Sequence, residues 1–265
     1  MKRILIALVL VGLLVLAVGV NSVLAEDKVL KVGATPVPHA EILEFIKPVL
    51  AKEGIKLEIV EFTDYVTPNL ALADGSIDAN YFQHVPYLEQ FKKDHNLDIV
   101  SLIKVHIEPF GLYSKKIDHI NELPQGATIA VPNDPTNEGR ALLLLASKGI
   151  IKLAEDAGLE ATPLDIVDNP KGLKFEELEA AQLPRVLPDV TAAFINTNYA
   201  LEADLNPLED ALIIEGNESP YANILVVRSE DEDNPLLKRL AEVLTSEPVK
   251  EFILDKYKGA VVPVF

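Results

Sequence analysis

Short apolar segments of strand character alternate with longer segments of helical period along almost the whole chain, joined by short connections. This rhythm constrains the fold most, because helices inserted between strands cover the faces of mainly parallel sheets. Residues 30–34 read as a strand feeding the loop Thr35-Pro36-Val37-Pro38. Residues 39–52 carry Ile42, Leu43, Phe45, Ile46, Val49 and Leu50 at helical spacing, with Gly54 as cap. A half-buried strand (56–62), a short helix (66–74), a strand (77–82), a helix (86–94) and a strand (99–107) follow. The rhythm restarts at Thr128, after a loop holding Asn121, Pro124 and Gly126. It then gives strand 128–131, helix 136–148, a strand near 164–167, a helix near 175–181 and strand 191–195. Segments 212–214 and 224–228 and helices 235–244 and 248–257 complete the chain.

Two architectures satisfy this order. One is a single doubly wound domain. The other is a pair of α/β lobes, the chain crossing out near 109–114 and back near 212–216, through extended segments bounded by Pro, Gly and polar residues. In the two-lobe reading one lobe holds residues 28–110 with 215–265 returning to it, and the other holds 111–214.

Lys2 and Arg3 precede an apolar run over 4–20, and Val23-Leu24-Ala25 supplies small residues at a cleavage site. Residues 1–25 therefore read as a secretory signal peptide cleaved after Ala25, against the alternative of an uncleaved anchor. Losing Lys2 and Arg3 would take the net charge from −17 to −19. Such an acidic chain, with no Lys/Arg run, is not expected to bind nucleic acid. No other stretch could span a bilayer, so membrane contact is expected only through a partner or an uncleaved N-terminus. The absence of cysteine rules out disulfides, thiol catalysis and thiolate metal sites. A secreted, acidic, cysteine-free two-lobed chain fits a solute-binding protein that closes on a small ligand.

The stretch 131–145, V-P-N-D-P-T-N-E-G-R-A-L-L-L-L, passes from a strand through turn and cap formers into a helix. A helix start favours an anion, and Arg140 near it could grip a carboxylate in two-pronged fashion. A surface ion pair with a neighbour such as Glu138 is the simpler alternative. No G-x-S-x-G elbow, phosphate loop or dinucleotide fingerprint occurs, so nothing supports an enzyme, and no cofactor is expected. His84 and His106 fall near strand ends with Glu108 close by, which leaves a zinc site as a minor alternative. His39, His95 and His119 read as loop residues bonded locally. Tyr65 and Phe82 stand beyond or at strand ends, where open α/β sheets place their ligands, whereas Tyr87 reads as core. Asn196 closes one strand and Asn223 opens another; each offers a donor and an acceptor, but each also suits a turn.

Six stretches together resemble the methionine-binding MetQ/NlpA family, the substrate-binding components of methionine ABC importers. They are Asp64-Tyr65-Val66-Thr67-Pro68-Asn69, Asp78-Ala79-Asn80-Tyr81-Phe82-Gln83-His84, residues 131–140, residues 179–185, Ile195-Asn196-Thr197-Asn198-Tyr199-Ala200 and Glu218-Ser219-Pro220-Tyr221-Ala222-Asn223. The resemblance implies an α/β, two-lobed type II periplasmic-binding-protein fold with methionine in the cleft, delivered to a membrane permease. It implies that Arg140 holds the ligand carboxylate and that Asn196 and Asn223 bond its backbone ends. Tyr65, Phe82 and His84 would line the side-chain slot, with His106 beside them. Close analogues stay open as ligands: D-methionine, another apolar amino acid or a methionine-containing dipeptide. Most members carry a lipid-modified cysteine after the signal peptide, and this chain has none.

Overall fold

The computed structural model describes residues 28–216 and 220–265. The signal-peptide reading lies outside these residues. The first stretch comprises β1 (Lys28–Ala34), α1 (Glu41–Lys52), β2 (Ile55–Glu61), α2 (Thr67–Ala73), β3 (Ala79–His84), α3 (Val85–His95) and β4 (Ile99–Ile107). The chain then builds β5 (Gly111–Tyr113), β6 (Thr128–Pro132), α4 (Pro135–Ser147), β7 (Lys152–Leu153), β8 (Ile166–Asp168), β9 (Lys174–Leu178), α5 (Leu183–Val186), β10 (Ala192–Ile195), α6 (Thr197–Glu202) and β11 (Ala211–Ile214). It closes with β12 (Ala222–Arg228), α7 (Pro235–Leu244), α8 (Glu247–Tyr257) and β13 (Val262–Pro263).

Two large sheets result, with strand orders β13-β4-β12-β3-β1-β2 and β11-β5-β10-β6-β9. The expectation of mainly parallel sheets needs correction. Parallel pairing holds for β2-β1-β3 and for β9-β6-β10, but β12 runs against both β3 and β4, and β5 against both β10 and β11. The intruding strands are the first that the chain forms after each passage from one sheet to the other. Each enters from the neighbouring lobe at the shared edge, so it must run back along strands that end there.

Apolar periodicity decides what each helix buries. In α1, Ile42, Leu43, Ile46 and Leu50 face the first sheet and pack with Leu237, Leu240 and Leu244 of α7 and Ile253 of α8. In α4, Ala141, Leu142 and Leu145 pack on Ile129, Val131 and Phe194 of the second sheet. Gly139 of α4 lets that helix touch backbone: a Cβ there would lie 2.2 Å from the Leu159 carbonyl oxygen and 2.8 Å from the Ala161 nitrogen.

Three local expectations differ from the structure. The helix expected near 175–181 is strand β9, paired in parallel register with β6 from Thr128↔Lys174 to Pro132↔Leu178. Glu and Leu favour a helix in isolation, but the open side of β6 offers backbone partners that outweigh that preference. The segment near 164–167 gives only the short β8, paired with β7 outside both main sheets. The strand expected at 77–82 runs from Ala79 to His84, which puts His84 at the strand end and makes it the N-cap of α3.

Candidate functional site

The carboxyl edges of the two sheets face each other, and the chemistry-bearing residues gather there. Tyr65 follows β2, His84 ends β3 and Glu108 follows β4. Arg140 lies in α4 after β6, and Asn196 follows β10. Asn223 begins a strand instead of ending one, yet antiparallel pairing of β12 sets it opposite His84 and His106 at the same edge. Tyr65, Phe82, His84, Arg140, Asn196 and Asn223 all line one small cavity between the sheets. Tyr87, Glu108, Asn137 and Asn198 complete much of its wall. His106 does not line the cavity; it is fully buried one layer behind, bonded to Glu108.

Arg140 is 4% exposed, so its charge requires a partner. That partner is not Glu138 but Glu215, from the segment returning between the sheets: Nε lies 3.1 and 3.2 Å from its two carboxylate oxygens, and Nη2 pairs with Oε2. Nη2 also donates to the Glu108 carbonyl at 2.9 Å. The guanidinium carbon sits 4.9 Å from the Phe110 ring centre and 4.2 Å from that of Tyr221, so two aromatic rings pack against the cation. Nη1 is engaged by neither Glu215 nor Glu108. The start of α4 is not an open anion site, because Asp134 caps it, accepting from the Asn137 N–H at 2.9 Å. Arg140 lies in the second turn and acts as a cation on its own.

Glu108 is a buried carboxylate facing the cavity. Oε1 accepts from His106 Nε2 at 2.8 Å and lies 3.2 Å from His39 Nε2; Oε2 accepts from the Asn198 N–H at 3.0 Å. The second nitrogen of each ring is engaged as well, by Thr35 Oγ1 at 2.7 Å for His39 and by the Tyr81 hydroxyl at 2.5 Å for His106. One arrangement satisfies all of these: neutral imidazoles with the proton on Nε2, His106 donating to Glu108 and His39 to Asn223 Oδ1 at 3.1 Å, while Nδ1 accepts from each hydroxyl. Burial pushes His39 down to about 4 and His106 to about 3, which keeps both neutral. Burial raises the Glu108 carboxyl, opposed by His39, by Arg140 and by the Asn198 N–H.

His84 Nδ1 accepts from the Tyr87 N–H at 3.1 Å, so Nε2 carries the proton and donates to Asn137 Oδ1 at 3.1 Å. Burial, followed by the charge of Arg140, lowers its pKa to about 3. Asn137 Oδ1 also accepts from Asn196 Nδ2 at 3.0 Å. Asn196 is the N-cap of α6 but makes no side-chain capping bond; its side chain turns into the cavity. Among the described residues, Asn196 Oδ1 and Asn198 Nδ2 are buried without any hydrogen-bond partner. An orphan acceptor and an orphan donor on one cavity wall call for a ligand with both functions. The rings of Tyr65, Phe82 and Tyr87 form the apolar end. Bonds across the cleft close it: Tyr65 Oη donates to Asn198 Oδ1 at 2.5 Å, and Tyr199 Oη donates to the Thr63 carbonyl at 3.1 Å.

The zinc alternative built on His84, His106 and Glu108 does not assemble, since His84 turns to Asn137. His39 stands beside His106 and Glu108 instead, their candidate ligand atoms within 4.8 Å of one another and joined by the hydrogen bonds just described. His39 is therefore not the loop residue expected. Glu108, Asn137, Asn198 and Glu215 went unrecognised as parts of a small-ligand site. Glu108 carried a signal, being a lone acid in the apolar run from Ile107 to Leu112 at a strand end. Asn198 repeats Asn196 two residues on. Glu215 carried none.

Comparison with known proteins bears on what such a cavity holds. The family model described as NlpA lipoprotein matches residues 30–265. The chain is 44% identical to the D-methionine-binding lipoprotein MetQ of Salmonella typhimurium, over 96% of this chain and 94% of that one. It is 42% identical to the methionine-binding lipoprotein MetQ of Bacillus subtilis, over 97% and 96%. A solved nutrient-binding protein from Burkholderia cenocepacia, bound to methionine, is 51% identical and superposes with a TM-score of 0.87, covering 89% of this chain and all of that one.

Proposed function

This chain belongs to the NlpA lipoprotein family, and from that premise we propose that it is the extracytoplasmic substrate-binding protein of an ABC importer, enclosing methionine between its lobes and delivering it to a membrane permease. The fold is the two-lobed type II periplasmic-binding-protein architecture. We take residues 28–110 with 215–265 as one lobe and 111–214 as the other. The observation that carries the reading is the pairing of an orphan acceptor and an orphan donor with Arg140 and Glu108 in one closed cavity. A zwitterion satisfies all four: its carboxylate meets Arg140 and Asn198 Nδ2, and its ammonium meets Glu108 and Asn196 Oδ1. Asn223 bonds the same end of the ligand. A thioether is apolar and polarizable, so the rings of Tyr65, Phe82 and Tyr87 suit its side chain, beside neutral His84.

The roles assigned are those of a receptor, in which these groups bind without turning over. Nothing in the site distinguishes the two enantiomers of methionine by charge alone, and D-methionine stays a candidate ligand. The relatives are named lipoproteins, whereas this sequence has no cysteine to carry a lipid. We take the N-terminal segment as a signal peptide cleaved after Ala25, with retention as an uncleaved anchor as the alternative. Among the described residues no helix is long and apolar enough to cross a membrane.

Native mass spectrometry of the exported protein tests the ligand directly, because closed receptors carry tightly bound ligand through purification. A retained mass equal to methionine, displaced by added L- or D-methionine in calorimetry, is the expected result. Stoichiometric zinc, or no binding of either enantiomer, would defeat the reading.

A further inference from the structure

Glu215 lines no part of the ligand cavity, yet it holds the one cation there. It borders a groove together with Ile214 and Tyr221, and Arg140 lines both that groove and the cavity. Its own place is set independently of any ligand. The Glu215 N–H donates to the Phe110 carbonyl at 2.9 Å, and the Phe110 N–H reaches back to Glu215 Oε2 at 3.4 Å. Phe110 lies on the outward passage between the sheets and Glu215 on the return, so these bonds tie the two connecting segments together.

The Phe110 and Tyr221 rings pack against the guanidinium but make no hydrogen bond that sets its rotation. Glu215, gripping the Nε–Nη2 edge, and the Glu108 carbonyl on Nη2 settle the rotation. Of these two, only the Glu215 side chain can be removed by substitution. We propose that Glu215 is the positioning residue that aims Arg140 at the ligand carboxylate and couples carboxylate capture to the segments on which the lobes move. The proposal rests on the reading that Arg140 receives that carboxylate. A cation already oriented and neutralised loses little freedom on binding, and this pre-organisation strengthens affinity. The opposite effect of Glu215, its negative charge partly cancelling Arg140, acts against affinity, and the proposal holds that orientation outweighs it.

Calorimetry with L-methionine and with L-methioninamide, which lacks the carboxylate, separates the possibilities across the wild type, Arg140→Ala, Glu215→Gln and Glu215→Ala. Glu215→Ala should bind methionine roughly 10- to 100-fold more weakly, the range for losing hydrogen bonds to a charged group. Its affinity for the amide should change by no more than about 3-fold. Glu215→Gln, of nearly the same shape and keeping one acceptor, should fall between and carries the test should the alanine variant fail to fold. Wild-type or tighter methionine binding in the Glu215 variants, or equal losses for acid and amide, would overturn the proposal. Failure of the underlying reading has a different signature: Arg140→Ala would then keep the wild-type preference for acid over amide.

Discussion

Buried charge at Glu108 is tolerable because two donors converge on it, His106 Nε2–H and the Asn198 N–H, with His39 Nε2 3.2 Å away. In the proposed methionine complex, the cation that this anion meets is the ligand ammonium. Glu108→Gln should weaken methionine binding by about 2–4 kcal/mol, the cost of breaking one side of a buried charge pair. The deaminated analogue of methionine should lose much less. Calorimetry on both ligands checks this, and equal losses would reduce Glu108 to a framework role. The same substitution turns an amide N–H toward the two imidazoles, so part of any common loss reports their rearrangement. Arg140 is the complementary case. The sequence offered a ligand carboxylate or Glu138 as its partner, and the carboxylate it meets in the fold is Glu215, 75 residues away.

At the scale of an element, α4 decides where the cation stands. Asp134 caps it, Pro135 opens it, and Gly139 presses against the backbone of 159–161. Relief of a 2.2 Å approach to a carbonyl oxygen requires the helix or that segment to shift, since neither atom belongs to a flexible side chain. Gly139→Ala should therefore destabilise the fold by about 1–3 kcal/mol despite the better helix propensity of alanine. Denaturant unfolding midpoints measure this. Displacement of the adjacent Arg140 should weaken methionine binding in the same variant, and a stabilised protein with unchanged affinity would contradict the packing described. Strand β9 teaches the related lesson that an exposed Glu/Leu-rich segment takes the form its neighbour offers. Local pattern fixed neither its hydrogen-bond partner nor its type.

For the molecule as a whole, the cleft is shut by bonds between the lobes, and one of them carries a pH dependence that can be isolated. The folded-state pKa of His84 is pushed down to about 3, below its ordinary 6.5. Between those values the unfolded chain binds a proton at this residue and the folded chain does not. Its contribution is thus fully present above pH 6.5 and is lost as the pH falls toward 3, by up to about 1.4 kcal/mol per pH unit. His84→Gln, which can still donate to Asn137, should flatten the fall of stability between pH 6 and 4 by about that slope relative to wild type. Unfolding free energies measured in parallel over this range provide the check. Carboxyls raised by burial, such as Glu138 at about 7, act in the opposite direction but cancel in the difference. Parallel profiles would mean that His84 titrates normally in the fold.

Sequence alone determined the α/β character and most of the elements. It also set the residue types at strand ends that a zwitterion with an apolar tail requires. These follow from local rules, because periodicity, caps and turn formers act over a few residues. Only the tertiary structure decided the antiparallel entry of β5 and β12 and the turning of His39 onto Glu108. It alone paired Glu215 with Arg140 and left Asn196 and Asn198 each with an unsatisfied polar atom. Each of these is a meeting of distant segments at one sheet edge, and their partners are chosen by packing and by the cost of burying an unpaired charge, which no short window of sequence contains.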